Sequence, residues 1–315
     1  IGIFGDMVVF SSYAMQVIMS FLMLAMIFMM VPRAQVSANR INEVLETEIS
    51  IKDGSIDKKT NDEVGTVEFK NVGFKYPDGE DYVLKNVSFK ANKGETIAFI
   101  GSTGAGKSTL INLIPRFYDA TEGEVLVDGI NVKEYNQHFL HDKIGYVSQK
   151  AVIFNDTVAG NVAYGDNGKG KISETKVKEA IEVAQGKEFV EKMENSYNTQ
   201  MAQSGTNVSG GQKQRISIAR AIARDPEIYI FDDSFSALDY KTDSILRKEL
   251  KKYTKEATTL IVAQRIGTIM NADKILVLDD GKVVGIGSHK ELLKTCEVYK
   301  QIALSQLSKE ELDNA

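Results

Sequence analysis

The amino-acid sequence predicts an α/β domain that follows one membrane-spanning helix. Two observations predict the domain: short apolar runs typical of strands alternate with helix-like runs, and a glycine-rich stretch joins one such strand to a helix. A third observation predicts the membrane helix, because no charged residue occurs between Asp6 and Arg33.

The uncharged segment runs from Met7 to Pro32, which is 26 positions. As a helix it measures about 39 Å, more than the roughly 30 Å of a bilayer's hydrocarbon core. Arg33 and Arg40 follow it, which favours a cytoplasmic location for its C-terminal end. Because the sequence opens with isoleucine inside this apolar segment, we expect it to be a piece of a longer chain.

Polarity divides the chain into three predicted parts. Residues 1–48 form the membrane helix and its cytoplasmic extension, in which apolar and charged residues are interleaved after position 36. Residues 49–65 are polar and charged, which is typical of a linker. Residues 66–315 form the main domain.

Within the main domain, the predicted elements follow apolar periodicity and turn residues. Alternating or fully apolar runs predict strands at residues 67–70, 83–89, 96–100, 123–127, 143–147, 228–231 and 259–262. Apolar residues at helical spacing predict helices at residues 110–114, 173–185 and 215–224. Two further runs, 274–278 and 282–286, flank Asp279-Asp280-Gly281 and predict a hairpin.

Composition limits the classes of function. The chain has 38 Lys and Arg against 43 Asp and Glu, a net charge of −5. No basic patch with interleaved aromatic residues occurs in it, so nucleic acid is not an expected partner. Cys296 is the single cysteine, which excludes a disulfide within the chain.

The glycine-rich stretch fits the phosphate-binding pattern G-x-x-x-x-G-K-[ST]. Its residues are Gly101, Ser102, Thr103, Gly104, Ala105, Gly106, Lys107, Ser108 and Thr109. The glycines let backbone N–H groups face an anion, Lys107 is placed to reach the β- and γ-phosphates of a nucleotide, and the Ser108 hydroxyl is placed to ligate Mg²⁺. Because a predicted strand precedes the stretch and a predicted helix follows it, we expect ATP and Mg²⁺ to bind here.

An acidic pair follows the apolar strand at residues 228–231. Asp232 ends that strand, and we expect it to lie beside the phosphate loop and hold Mg²⁺ directly or through water. The next residue, Asp233, occupies the position from which an attacking water would be oriented.

Taken in order, these stretches and the motif Val208-Ser209-Gly210-Gly211-Gln212 resemble an ABC exporter half-transporter, reduced to its last membrane helix and its nucleotide-binding domain. The resemblance implies a P-loop NTPase core of RecA-like fold, with an antiparallel β subdomain and a helical subdomain. It also implies head-to-tail pairing of two domains. Ser209, Gly210, Gly211 and Gln212 of one domain then close over the ATP that the phosphate loop of the other domain holds.

The resemblance also assigns roles to single residues. Tyr76, in Phe-Lys-Tyr-Pro, matches the aromatic residue that stacks on adenine. Gln149, in Tyr-Val-Ser-Gln, matches the glutamine that contacts Mg²⁺ and senses the membrane domain. Asp239, in Ser-Ala-Leu-Asp, matches the loop that crosses between paired domains.

Two positions depart from the family's pattern. Most active members carry glutamate where this chain has Asp233, and histidine where it has Gln264. The aspartate carboxylate lies one C–C bond, about 1.5 Å, further back. The glutamine amide cannot carry positive charge towards a phosphate. We therefore expect this site, with Asp233, Gln264 and Gln149 as its catalytic residues, to hydrolyse ATP slowly.

The simplest hypothesis is a heterodimer of the bacterial multidrug exporter type, in which a second half-transporter supplies the competent ATP site. Such a subunit would export drugs or lipids across the inner (plasma) membrane, with its nucleotide-binding domain in the cytoplasm. One alternative is a self-sufficient homodimeric exporter. Another is a soluble ABC ATPase that acts on DNA or the ribosome, which the apolar helix and the net acidity disfavour.

Overall fold

The structure, a computed structural model, describes residues 2–59, 63–165 and 167–307. The chain divides into two compact units, one that ends at Lys52 and one that begins at Asp53. Part of the segment predicted as a linker, residues 53–59, belongs to the second unit and is hydrogen-bonded within it. The Gly54 N–H donates to the Tyr135 carbonyl at 2.9 Å, and the Ile56 N–H donates to the Glu134 carbonyl at 3.0 Å.

The first unit contains one long helix, α1 (Gly2–Leu45), with 44 residues and no buried side chain. At 1.5 Å per residue it is about 66 Å long. Among the residues described, it is the one helix long and apolar enough to cross a membrane, with a mean hydropathy of 2.3 over its most apolar window. The helix continues without a break through Pro32 and ends at Leu45, three residues before the predicted end at residue 48.

The second unit contains two sheets. The smaller one is antiparallel, in the order β2-β1-β4-β5. Its strands are β1 (Val67–Phe74), β2 (Leu84–Ala91), β4 (Glu122–Val127) and β5 (Ile130–Asn131). The larger sheet has the order β10-β9-β3-β8-β7-β6. Its strands are β3 (Thr96–Gly101), β6 (Ile144–Val147), β7 (Ile228–Asp232), β8 (Thr258–Val262), β9 (Lys274–Asp279) and β10 (Lys282–Gly287).

Five strands of the larger sheet run parallel, and β10 is added antiparallel at the edge next to β9. Asp280 and Gly281 join β9 to β10 with φ values of 43° and 74°, the left-handed conformations that a two-residue hairpin favours. The carboxyl ends of the parallel strands meet at one edge, and that edge is where an α/β sheet usually binds its ligand.

Ten helices surround the two sheets in the described part of the second unit. Before the motif at residues 208–212, here termed the signature motif, these are α2 (Lys107–Asn112), α3 (Gln137–Asp142), α4 (Val158–Val162), α5 (Glu174–Val183) and α6 (Lys187–Glu191). From the motif onward they are α7 (Gly210–Ala223), α8 (Tyr240–Tyr253), α9 (Ile266–Ile269), α10 (His289–Thr295) and α11 (Glu297–Gln306). α4 and α5 pack against α7, which forms the helical layer beside the larger sheet.

The parallel sheet is buried on both faces. Along β7, Ile228 and Ile230 join one hydrophobic cluster, while Tyr229 and Phe231 join the other. Because successive side chains of a strand point to opposite faces, this division explains why the sequence of β7 is apolar throughout. The result is a rigid platform whose carboxyl edge carries Gly101 and Asp232.

Candidate nucleotide-binding site

The phosphate loop connects β3 to α2, as its sequence pattern requires. Gly101 lies so close to β9 that a Cβ atom there would be 2.0 Å from the Leu278 carbonyl oxygen. Gly106 has a φ of 93°, in the left-handed region that favours glycine. The two glycines therefore allow a turn that larger residues would distort.

Lys107 is held within this loop. Its Nζ donates to the carbonyl oxygens of Gly101 at 2.8 Å and Ser102 at 2.7 Å. Burial lowers the pKa of Lys107, and the carboxylates of Asp233 and Asp232 act in the opposite direction. The ammonium group thus lies near two acids, in a place where phosphate oxygens would replace its carbonyl partners.

A cavity of about 260 Å³ opens beside the loop. Segments that are distant in the sequence line it. The lining residues include Thr103, Gly104, Gly106, Lys107, Ser108, Thr109, Gln149, Asp232, Asp233 and Gln264. Gly101, Ser102 and Ala105 belong to the same loop but do not line the cavity. The carboxyl ends of β7 and β8 bring Asp232 and Gln264 towards the loop that follows β3.

Asp232 and Ser108, two of the three residues predicted to hold Mg²⁺, contact each other. The Ser108 hydroxyl donates to Asp232 Oδ1 at 2.9 Å. Burial raises the pKa of Asp232. A hydroxyl and a carboxylate are hard oxygen donors, and Mg²⁺ commonly takes one or two protein ligands and completes its shell with phosphate and water. The donor set therefore fits Mg²⁺, with Gln149 as a further amide on the same cavity wall.

Asp233 is bonded to both glutamines of the site. Gln264 Nε2 donates to Asp233 Oδ2 at 2.8 Å, and Gln149 Nε2 donates to the same oxygen at 3.2 Å. Burial raises the pKa of Asp233. The backbone of Asp233 has a φ of 45° and is fixed by two bonds, one from its N–H to the Val262 carbonyl at 3.0 Å and one from the Ser236 hydroxyl to its own carbonyl at 2.8 Å.

Tyr76 lies near the loop but outside the lining of the cavity. Its hydroxyl is 3.0 Å from Thr109 Oγ1. Its ring makes edge contacts with Phe74 and Tyr118, at centroid distances of 4.9 and 5.2 Å. The half-buried ring is thus held beside the start of α2.

The signature motif and Asp239 are not part of the cavity. Ser209 caps α7: its hydroxyl accepts from the Gln212 N–H at 3.3 Å, while Gln212 Oε1 accepts from the Ser209 N–H at 2.9 Å. Ser209 and Gly210 are exposed, and Gly211 and Gln212 are half-buried. Asp239 is exposed and caps α8 by accepting from the Thr242 N–H at 3.0 Å, which lowers the pKa of Asp239.

A model of the ABC transporter family matches residues 84–236. The match contains the phosphate loop, Gln149, the signature motif and both aspartates. It ends before β8 and Gln264, which complete the cavity described above. The chain contains an ABC transporter ATP-binding domain.

Relatives and solved structures support this assignment over most of the chain. An uncharacterized ABC transporter ATP-binding protein of Mycobacterium tuberculosis is 44% identical over 303 residues, which cover 96% of this chain and 52% of that protein. A putative multidrug export ATP-binding/permease protein of Staphylococcus aureus is 40% identical over 260 residues, which cover 82% of this chain and 44% of that protein.

The structure of a bacterial Atm1-family ABC exporter with ATP bound is similar, with a TM-score of 0.82 and 33% identity over 91% of this chain and 50% of that chain. The chain therefore spans about half the length of the relatives it matches. The α/β fold of the chain, with two sheets and an apolar N-terminal helix, confirms the fold class that the sequence predicted.

Sequence reasoning missed Tyr146 in the ATP-binding domain. Its hydroxyl donates to Asn112 Oδ1 at 2.9 Å, and its ring lies close enough to Asp232 that burial and that carboxylate raise the pKa of Tyr146. Val83 and Val262 line the cavity as well. Tyr146 lies near the carboxyl end of β6, a strand that the sequence predicted. The sequence did not show that β6 lies next to β7, the strand that ends at Asp232.

Proposed function

We propose that this chain is the ATP-binding part of a membrane ABC exporter subunit, and that its own site holds ATP but hydrolyses it slowly. The observation that carries the proposal is the contact between the two residues that depart from the family's pattern. Gln264 Nε2 donates to Asp233 Oδ2 at 2.8 Å, inside the cavity that Lys107 and Ser108 also line.

This contact works against hydrolysis in two ways. A carboxylate that orients an attacking water must offer an oxygen to that water, and here one oxygen of Asp233 accepts from two amides, those of Gln264 and Gln149. The aspartate carboxylate also lies about 1.5 Å further back than that of a glutamate at the same position. A neutral amide at position 264 adds no positive charge to stabilise charge that develops on the γ-phosphate.

Binding of the nucleotide needs none of the altered groups. The loop N–H groups and the Lys107 ammonium would hold the phosphates, and Tyr76 would stack on adenine. Ser108 and Asp232, with Gln149 beside them, would hold Mg²⁺, which neutralises charge on the phosphate oxygens when it is bound. The site thus keeps the parts that bind ATP while the parts that position water are changed.

The signature motif is proposed to serve a second ATP site. Ser209, Gly210, Gly211 and Gln212 lie outside the chain's own cavity, with Ser209 and Gly210 exposed at the start of α7, where a second domain can reach them. Asp239 is exposed at the start of α8. We propose that the partner is a second half-transporter with the glutamate and histidine that this chain lacks.

The transport role rests on α1 and on the relatives. A 44-residue apolar helix that precedes the ATP-binding domain supports a place in the membrane, with the domain in the cytoplasm. The Staphylococcus aureus relative carries multidrug export in its name, which supports a small amphiphilic or lipid substrate. The inner (plasma) membrane is the proposed location.

Asymmetry between the two sites gives a direct test in the full-length transporter. With a partner that supplies the competent site, Ser209→Ala in this chain should lower ATP turnover strongly, because that serine faces the fast site. Asp233→Asn should cost far less, because it alters the slow site. In a self-sufficient homodimer, both variants would lower turnover alike. Equal losses of phosphate release would therefore reject the heterodimer and leave ATP binding by this domain intact.

A further inference from the structure

A second cavity of the domain lies away from the ATP site. Its volume is about 460 Å³, within the range of small-ligand pockets. Thr96, at the start of β3, and Thr259, near the start of β8, lie in its wall. The phosphate loop and Gln264 follow the other ends of these same strands, so the cavity opens at the opposite edge of the parallel sheet.

One wall of this cavity is a basic face of α8. Ser244, Lys248 and Lys251 are spaced at i, i+4 and i+7, which places them on one side of the helix. Lys251 Nζ donates to the Asn271 carbonyl at 3.3 Å. In the described part of the chain, no carboxylate lies within ion-pair distance of Lys248 or Lys251. Two ammonium groups therefore border the cavity without a compensating anion.

The acidic groups nearby are already engaged. Asp243 binds Arg247 through two oxygens, at 2.9 and 3.1 Å, and so cancels the charge of that guanidinium. The remaining Arg247 nitrogen, Nη1, donates to the carbonyls of Gly267 and Thr268. Asp273 Oδ2 accepts from the Thr96 N–H at 2.8 Å. Among the residues that the structure describes, no acidic side chain lines the cavity, although the whole chain has a net charge of −5.

The floor of the cavity combines apolar and hydroxyl groups. Leu250 and Ile261 are 3% and 7% exposed, and Thr268 is 8% exposed. The Thr254 hydroxyl donates to the Leu250 carbonyl, and the Thr259 hydroxyl donates to that of Thr254. A ligand of this site would rest an apolar part on Leu250 and Ile261 and direct an anionic group towards the two lysines.

We propose that this cavity, here termed the α8 pocket, binds a small organic phosphate through Lys248 and Lys251. Lysine binds phosphate as a point charge, and the spacing of the two side chains on one helix face lets both reach one phosphoryl group. The pocket is separated from the ATP site by the length of β3, about 17 Å for the five steps from Thr96 to Gly101. Its occupancy does not depend on how fast the ATP site hydrolyses.

Phenyl phosphate is a suitable probe, because it joins one phosphoryl group to one small apolar ring. Its binding can be measured by titration calorimetry on the full chain in lipid nanodiscs, with Lys107→Ala present so that the phosphate loop does not compete. We expect one site per chain with a Kd below about 1 mM. Inorganic phosphate and phenol, which each lack one half of the probe, should bind more weakly.

The variant Lys248→Ala/Lys251→Ala should weaken phenyl phosphate binding at least about tenfold. Lys252→Ala is the matched control, since Lys252 lies on the same helix, is exposed and pairs with Glu249 outside the pocket. ATP binding by the same variants with Lys107 intact reports that the fold is preserved. The proposal would be overturned if phenyl phosphate showed no saturable binding, or if its Kd were unchanged in the double variant. It would also be overturned if the control variant lost as much affinity, or if inorganic phosphate bound as tightly as phenyl phosphate.

Discussion

The pair Asp233 and Gln264 offers a gain-of-function test of the slow site. Asp233→Glu moves the carboxylate forward by about 1.5 Å, towards the position where most active members of the family hold it. A misplacement of roughly 1 Å can cost on the order of a hundredfold in rate. We therefore expect Asp233→Glu combined with Gln264→His to raise kcat at this site about a hundredfold.

The two substitutions should not act independently. Gln264 Nε2 and Asp233 Oδ2 are 2.8 Å apart, and residues in direct contact commonly show interaction energies of about 0.5–3 kcal/mol in double-mutant cycles. Asp233→Glu alone leaves the amide of Gln264 in the path of the longer side chain, and Gln264→His alone leaves the carboxylate too far back. Each single variant should therefore gain less than half of the combined effect on the logarithmic scale.

Phosphate release at saturating ATP measures this cycle in the full-length transporter. The partner's competent site is silenced by a change in its own catalytic carboxylate, so that only the site of this chain is read. Lys107→Ala in the restored background is the control, because it removes nucleotide binding. Additive single effects, or no gain in the double variant, would refute the argument that the short carboxylate and the amide together limit hydrolysis.

Three further predictions concern the domain around the site. Lys143, 8% exposed, is bonded to Asp128 at 2.9 Å and to Glu227 at 2.7 Å, so Lys143→Met should lower the free energy of unfolding by about 3–5 kcal/mol in denaturant titrations. The exposed pair Lys192–Glu188 is its control, and Lys192→Met should change stability by less than about 0.5 kcal/mol. Gln306 accepts from the Ile266 N–H and donates to the Gln264 carbonyl, both at 2.8 Å, so Gln306→Ala should speed amide exchange at Ile266 about fivefold, whereas Gln301→Ala should not. Burial lowers the pKa of His289, whose Nε2 has no hydrogen-bond partner in the described part of the chain. As the pH falls, the imidazole of His289 is protonated in the unfolded chain before it is protonated in the folded chain. The free energy of unfolding should therefore fall by up to about 1.4 kcal/mol for each pH unit below pH 6.5. His289→Asn should abolish this contribution to the pH dependence.

Local motifs in the sequence were enough to locate the strand, loop and helix around Lys107, and Ser108 and Asp232 remain the predicted ligands of Mg²⁺. The strand, turn and helix around Gly101 and Lys107 depend on neighbouring residues, and the apolar run before Asp232 identifies a buried strand. The contact between Ser108 and Asp232 follows once both lie at carboxyl ends of one parallel sheet. These features could be predicted because each is encoded within a few consecutive residues.

Contacts that depend on strand order could not be predicted. Asp233 meets Gln149 and Gln264 from 84 and 31 positions away, and only the order β3-β8-β7-β6 brings the three together. The sequence showed that positions 233 and 264 depart from the family's pattern, but not that they bond to each other. The sequence likewise did not predict the hydrogen bonds of Gln306 to the segment that carries Gln264.

Helix boundaries show a third kind of limit. The predicted helix at 215–224 begins at Gly210 instead, because the capping box of Ser209 and Gln212 stabilises a start that two glycines disfavour. Seven of the helices described in the second unit were not predicted, namely α3, α4, α6, α8, α9, α10 and α11. In α8 only Asp243, Leu246 and Leu250 are buried, so the apolar stripe is narrow and the charged residues dominate its sequence.

The nucleotide retained at this site shows whether the site hydrolyses ATP slowly. The full-length protein, with its partner's site silenced, is incubated with ATP and Mg²⁺ and freed of unbound nucleotide, and the nucleotide retained at this site is released and quantified. We expect ATP to remain the main species over many times the roughly 0.1 s that one turnover of a typical enzyme takes. Retention of ADP alone after a few seconds would show that this site hydrolyses ATP quickly and would refute the proposal.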